Sequence, residues 1–502
     1  VSAVVFQRVL DALLREDHLG LWSNGHAEDG WWVTKVPGGA LRIPVRPDGY
    51  QHAVRTAEAR VEADGRVVDE LAGLLDVLAP QDDPEAEAGW AVFRAEVGAE
   101  VLARRLADEA RPRVLAVKKQ KGMAGAVADE AIAAHDDHPV HPASRAKHGL
   151  TEAELLAYAP EHAPVFAVQW LRSADLQVTG ELPGWWPAPD MLPAHPLTAA
   201  RLGLPTVDGP GILVHPTLSM RTVALASDPY THVKLPLATA TLGARNKRTI
   251  APGTLVDGAV MQNLLEKLAA AEPAFAGRIL HADETTWGHA GDDTHAFLIR
   301  RYPRELEGSV VVPAAGLGLL ADRLGDPRAV MESYLDLLID WHVHLWLRHG
   351  IALEAHQQNI HLVLDPDGGL RLLYKDNDGA RFDARHALAV DDARMAVADE
   401  GELADVFTTI TLHLAAAGPL LSLAGHGHDV PSPGEALAGR IRAASDRWGG
   451  SELLSTRVLE AETLPVKAML TAGTLLPKQR IGCTDINKYY LRTGPNYLRA
   501  AQ

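Results

Sequence analysis

Apolar residues recur every three to four positions at the start of the chain, in VSAVVFQRVLDALLRED, and this spacing predicts a helix. A short strand-like run around Trp31, Trp32 and Val33 follows, then charged helical sequence such as AGWAVFRAEVGAEVLARRLADEAR. From about Lys118 the pattern changes. KKQKGMAG leads into a stretch punctuated by His and Pro as far as Pro142, then into alternating runs, PVFAVQWL and DLQVTG, that predict strands. A third region begins near Pro303. Within it YLDLLIDWHVHLWLRHG sets Tyr334, Leu337, Leu338, Trp341 and Leu345 on one helical face, which predicts an amphipathic helix ended by Gly350. LHLAAAGPLLSLAG and HDVPSPGEA are expected to separate further helical segments near the C-terminus.

A length of 502 residues exceeds one compact core, so two or three domains are expected, with divisions at 1–120, 121–302 and 303–502. With 47% hydrophobic and 23% charged residues the chain has the composition of a folded globular protein. Its net charge of −17 repels a phosphate backbone and argues against nucleic-acid binding. Cys483 is the one cysteine, which excludes an internal disulfide, a thiolate zinc cluster and an iron–sulfur site built on several cysteines. The opening residues lack the features of a secretory signal, and no run approaches the roughly 18–20 uninterrupted apolar residues of a spanning helix. A cytoplasmic protein with no membrane partner is the expectation.

Walker A, GxGxxG, HExxH and GxSxG signatures are absent, and the GLG at Gly316–Gly318 reads as a turn. Three other groupings carry candidate chemistry. HPVHPASRAKHG puts His138, His141, Ser144, Arg145 and Lys147 on a loop whose direction two prolines fix. It reads either as a restrained anion-binding loop or as a Pro-rich surface loop, and it lacks the further ligands a zinc site would need. HPTLSMRTVAL and THVKLPLATATLGAR carry Ser219, Arg221, Lys234 and Arg245 in apolar, strand-like sequence. Each cation read singly is an exposed strand residue. Together with the hydroxyl groups they suit a triphosphate or carboxylate pocket.

The third grouping, IALEAHQQNIHLVLD followed by GGLRLLYKDNDGAR, reads as two strands joined by a Gly turn. Glu354, His356, Gln358 and Asn359 precede the first strand, and Asp376 and Asp378 follow the second. A hairpin returns its ends to one place, so Asn359 and Asp376 meet. That oxygen pair suits Mg2+ on nucleotide phosphates, as in the kinase layout, although polar residues also cap ordinary hairpins. His342, His344, His349, His426 and His428 read as structural.

The three groupings, in this order and spacing, resemble the NRPS-independent siderophore synthetases of the aerobactin synthetase (IucA/IucC) type. HPVHPASRAKHG is similar to that family's HPxHPxxKxRxG, SMRT with Lys234 and Arg245 to its SxRT with a following Lys and Arg, and EAHQQN…KDNDG to its EaHxQN…RDxxG. VKAMLTAG around Lys467 resembles a further basic motif. Arg145 and Lys147 stand where Lys and Arg are usual, Asp137 where Gly is usual, and Lys375 where Arg is usual.

The resemblance implies an α+β, cupped-hand fold with thumb-like, fingers-like and palm-like parts, antiparallel sheets in fingers and palm, and a kinase-like palm hairpin. It implies an ATP-dependent ligase that adenylates a carboxylic acid such as citrate and condenses it with an amine, hydroxylamine or alcohol. Ser219, Arg221, Lys234, Arg245 and the His138–Lys147 loop would hold ATP. His356, Gln358, Arg245 and Lys467 would face the acyl centre, and Asn359, Asp376 and Glu354 would hold Mg2+. A homodimer is one assembly this allows. The competing readings are a kinase-like phosphotransferase that releases ADP and a non-catalytic binder of an anionic metabolite.

Overall fold

The computed structural model describes residues 1–499. The predicted first helix spans Ser2–Arg15 and buries Val5, Phe6, Val9, Leu10, Leu13 and Leu14. These side chains pack with Trp32, Leu41 and Ile43 of an antiparallel sheet and with Trp90, Phe93 and Val97 of the 32-residue helix Pro84–Leu115. Asp83 starts that long helix by accepting the Ala86 amide at 3.1 Å, which satisfies one of the free amides of its first turn.

Two antiparallel-rich sheets position the candidate groups. The larger runs Phe166–Ala167, Leu213–Pro216, Thr222–Leu225, Thr231–Lys234, Ala296–Arg301, Asp283–His289 and Gln177–Thr179 in spatial order. The smaller runs Ile279–His281, Leu370–Tyr374, Ile360–Leu364 and Val310–Pro313, with its first pair parallel. The predicted hairpin is its centre, where Ile360 faces Tyr374 and Leu364 faces Leu370 across a turn with Gly368 at φ 87°. The chain leaves the small sheet at His281 and enters the large one at Asp283. Between them the Ala282 amide bonds to the Tyr374 carbonyl at 2.9 Å. The ends of the two sheets therefore converge beside residues 375–378.

The third-region helix spans Pro327–His349 and ends at Gly350 with φ 58°, the left-handed cap that glycine adopts without strain. Its burial departs from the predicted single face: Leu335, Ile339, Val343 and Trp346 are buried along with Tyr334, Leu338 and Trp341. It packs into the largest core cluster with the hairpin strands and the C-terminal helices, so it has little solvent face left. His342 bonds to Thr411 at 2.7 Å and Tyr374 at 3.1 Å, the structural role expected of it.

LHLAAAGPLLSLAG does not separate helices but lies inside one, Glu400–Gly425, which has π geometry from Phe407 to Ala417. Pro419 has no amide for the Ala415 carbonyl, and the Tyr334 hydroxyl donates to that carbonyl at 2.8 Å instead. By length and composition this helix could cross a membrane, but its apolar run is interrupted by polar residues and 89% of its apolar window is buried inside the protein.

Burial holds His195, His232 and His342 down to about 3 and His281 and His413 down to about 4. An unfolded chain takes up these protons near pH 6.5, so their contribution is complete above that pH and is lost as pH falls towards the folded values. The midpoint of urea unfolding should therefore fall steadily from pH 6.5 to 4, as followed by circular dichroism. A flat midpoint over that range would contradict the neutral buried state of these histidines.

Candidate active site

Lys234 ends its strand opposite Thr222, which brings the Arg221 turn alongside. That turn holds Met220 at φ 64°, a left-handed conformation a side chain adopts at a cost, and the Arg221 guanidinium donates to the Thr249 carbonyl at 2.7 Å. Lys234, 3% exposed, places Nζ 2.6 Å from Asp376 and 3.4 Å from Asp378. Arg300 comes from the next strand, with Nη2 3.0 Å from Asp376 and Nε on Glu284. Glu284 also accepts the Asp376 amide at 3.0 Å. Asp376 itself sits at φ 60°. Burial would raise its carboxyl, but Lys234, Arg300 and Arg221 hold it well below the usual carboxylate range.

The predicted meeting of Asn359 and Asp376 takes backbone form: the Lys375 amide bonds to the Asn359 carbonyl at 3.1 Å, next to Asp376. The Asn359 side chain reaches the Glu354 carbonyl at 3.5 Å. Beneath them buried Glu130 accepts from Lys375 at 2.7 Å, His361 at 3.0 Å and the Leu218 amide at 2.8 Å. One carboxylate thus ties the hairpin to the Ser219–Arg221 turn, and Lys375 is held below the site.

His356 caps the Gln357–Asn359 turn by accepting the Gln358 amide at 3.3 Å. Burial and then Lys467 push its imidazole down to about 4, against the pull of Asp376. It is neutral at pH 7. Lys467 lies 3.0 Å from Glu354, which also contacts Lys488, so Glu354 is shared between two ammonium groups. Burial pushes Lys467 down to about 8.

The His-Pro loop turns much of its charge inward. Ser144 donates to Asp137 at 3.0 Å, Arg145 lies 3.5 Å from Asp137 and bonds to the His135 carbonyl, and Lys147 pairs with buried Glu161. Asp137, at the position where the motif has Gly, takes up the loop cations. His141 accepts the Ala143 amide at 3.2 Å. His138 does lie towards the site: burial first, then His141, Arg8, His356 and Lys467, keep it well below the usual histidine value.

Arg245 does not join this cluster. Its Nη1 reaches the Ala472 carbonyl at 3.3 Å, and burial alone lowers its pKa. Arg248, absent from the sequence-derived set, lies among Arg221, Asp376 and Asp378, and burial followed by Arg221 pushes it down to about 9. Its Nε is buried with no acceptor among the described residues.

Four cations, Arg221, Lys234, Arg248 and Arg300, thus gather around Asp376, Asp378 and Glu284. The unpaired Arg248 Nε and the cationic excess fit an anion such as a triphosphate or a carboxylate. Among the described residues no three His, Cys, Asp or Glu side chains group as a metal cage. Asp376, Asp378 and the Asn359 amide fit Mg2+ only as it binds nucleotides, through one or two carboxylates with phosphate and water as the other ligands.

Comparison with known proteins bears on this arrangement. The IucA / IucC family profile matches residues 128–182 and 192–318, and one described as ferric iron reductase FhuF-like transporter matches 328–479. Staphyloferrin A synthase of Staphylococcus aureus is 27% identical over 311 residues, 49% of this chain and 52% of that one. The match thus spans about half the length of that relative. Staphyloferrin B synthase of the same organism is 24% identical over 76% of this chain and 75% of its own. In fold, petrobactin biosynthesis protein AsbB of Bacillus anthracis has a TM-score of 0.77 at 15% identity, covering 100% of this chain and 95% of that one. ATP-bound aerobactin synthetase IucA of Klebsiella pneumoniae has 0.73 at 18%, covering 99% and 100%.

The fold is therefore the α+β fold of the siderophore synthetases. In sequence the chain is similar to the IucA / IucC family over residues 128–182 and 192–318, and to the two staphyloferrin synthases at 27% and 24% identity.

Proposed function

We propose that the protein is an ATP-dependent ligase that adenylates a polycarboxylic acid such as citrate and transfers the acyl group to an amine, hydroxylamine or alcohol in siderophore-type biosynthesis in the cytoplasm. The observation that carries this reading is the set of four cations around Asp376, with the Arg248 Nε left without an acceptor among the described residues. A carboxylate approaching an already anionic phosphate is repelled, and fixed cations in a dry site remove that repulsion without reorganising.

In the first step the donor oxygen bonds to the α-phosphorus and the bond to the β-phosphate oxygen breaks, which releases pyrophosphate. Lys234, Arg221, Arg248 and Arg300 hold the phosphates, with Ser219 at the turn. Asp376 and Asn359 would hold Mg2+, which would supply neutralisation of the leaving pyrophosphate charge. In the second step the acceptor nitrogen or oxygen bonds to the acyl carbon, the bond to AMP breaks, and the nucleophile gives up a proton. The His356 imidazole, whose Nδ1 already accepts the Gln358 amide, orients the acyl group from its Nε2–H side, and the proton passes to water. Gln358 and Lys467 flank the acyl centre. Arg145 and Lys147 support the His138 loop.

A screen of carboxylic acids with ATP and hydroxylamine tests this reading, because hydroxylamine intercepts an activated acyl group without the natural acceptor. At least one di- or tricarboxylic acid should give a hydroxamate in an ATP-dependent manner. Binding of such acids with no hydroxamate from any of them would favour the non-catalytic alternative.

A further inference from the structure

Arg248 stands on a narrow ribbon. Strands Leu237–Ala240 and Lys247–Arg248 pair with a register shift, and the turn 241–246 joins them. The Arg248 Nε has no acceptor among the described residues, so the backbone of this ribbon decides where the guanidinium lies. The tip of the ribbon rests on the segment 472–474. There the Ala244 amide donates to Thr474 Oγ1 at 3.1 Å and the Arg245 amide to the Gly473 carbonyl at 2.9 Å. Gly243, at φ 112°, comes so near that a Cβ on it would lie 2.9 Å from Gly473 Cα.

One buried carboxylate closes this contact. Glu96, on the helix Pro84–Leu115 and 1% exposed, accepts the Gly243 amide at 3.0 Å and the Thr474 hydroxyl at 2.9 Å, and His148 Nε2 lies 3.3 Å from it. It therefore joins the ribbon, the segment beneath it and the end of the His-Pro loop. A carboxylate is costly to bury, and hydrogen bonds to a charged acceptor are strong enough to offset that cost. The other end of the segment, towards Lys467, is held separately: Glu16 accepts the Leu470 and Thr471 amides at 3.1 and 2.7 Å. Glu96 thus serves the ribbon end and Glu16 the Lys467 end.

We propose that Glu96 is a positioning residue for the phosphate site, setting Arg248 in place by fixing the tip of its ribbon on the segment 472–474. This rests on the ligase reading above. Neither the sequence motifs nor the matched profiles cover Glu96. A cation serves a developing anion only where it is aimed, and a misplacement of about 1 Å from a change far from the chemistry can cost about 100-fold in rate.

The test follows pyrophosphate release by the full chain with a donor from the hydroxylamine screen, in a double-mutant cycle. Glu96→Leu, which fills the space but removes both acceptor oxygens, should lower kcat about 100-fold in the wild-type background. In the Arg248→Ala background it should cost no more than about threefold, because the group it positions is gone. Glu96→Gln, which keeps one acceptor oxygen, should recover about tenfold of the loss. The donor KM should stay unchanged in all three. Should Glu96→Leu fail to fold, Thr474→Val, which keeps the shape of the side chain, takes its place in the cycle, with about tenfold lost alone and none in the Arg248→Ala background. Equal losses in the two backgrounds overturn the proposal, since Glu96 would then act on the fold at large. An unchanged kcat in a folded Glu96→Leu protein overturns it as well, as does a change confined to the donor KM, which would assign Glu96 to the acyl side. Failure of the ligase reading is distinct: the wild type would then release no pyrophosphate with any donor.

Discussion

Asp376→Asn should lower donor-dependent adenylation by orders of magnitude and abolish its response to Mg2+. The substitution keeps shape and hydrogen bonding, and Asn tolerates the left-handed conformation that residue 376 adopts at φ 60°. It removes the charge. A metal that neutralises phosphate is worth several kcal/mol to such a step. Hairpin spacing alone depicts this carboxylate as free, whereas the structure sets it 2.6 Å from Lys234 and 3.0 Å from Arg300. The variant should therefore melt below the wild type without ligands, because two buried cations lose their counter-charge. ATP alone should still stabilise it, since the phosphates can meet those cations, while adding Mg2+ should give little further shift in melting temperature. An Asp376→Asn protein that adenylates its donor at a comparable rate with unchanged Mg2+ dependence would remove Asp376 from the metal site.

Arg248→Ala should reduce adenylation by about 100-fold to 1,000-fold, the usual cost of deleting one fixed donor to a developing anion. Burial and Arg221 push this guanidinium down to about 9, so it is a strained cation that an anion would relieve. Deleting it leaves no orphaned carboxylate, because Asp376 keeps Lys234 and Arg300. The ligand-free variant should melt close to the wild type. Arg245→Ala loses a contact to the Ala472 carbonyl at 3.3 Å and should cost less than about tenfold, as neutral-acceptor contacts do. Steady-state pyrophosphate release by the two variants decides the matter. The reverse order of severity would return Arg245 to the phosphate site and take Arg248 out of it.

What the sequence could and could not disclose follows from the range of the forces involved. The hairpin was legible because alternation, a Gly turn and flanking polar residues are local, and its observed register pairs the predicted ends. Arg221 and Lys234 were legible only as members of a group, since each alone reads as an exposed strand residue while together with the nearby hydroxyl groups they suit an anion pocket. Arg248 was not. ARNKR offers three cations within four positions, and strand Leu237–Ala240 meets Lys247–Arg248 with a register shift, so counting along the chain does not say which one turns inward. Glu354 looked like a metal ligand until Lys488, more than a hundred residues away, proved to contact it along with Lys467. The helix through Pro419 was hidden for a similar reason, since its broken hydrogen bond is completed by Tyr334 from another helix.

The central claim is that these cations serve attack of a carboxylate on the α-phosphate. It is tested most directly by identifying the nucleotide products of a single reaction containing ATP, Mg2+, an activated donor and hydroxylamine. The account predicts AMP and pyrophosphate in equal amounts, matched by hydroxamate and absent without the donor. ADP and phosphate in their place would contradict it and would assign the Asn359 and Asp376 hairpin to a kinase-like phosphotransferase.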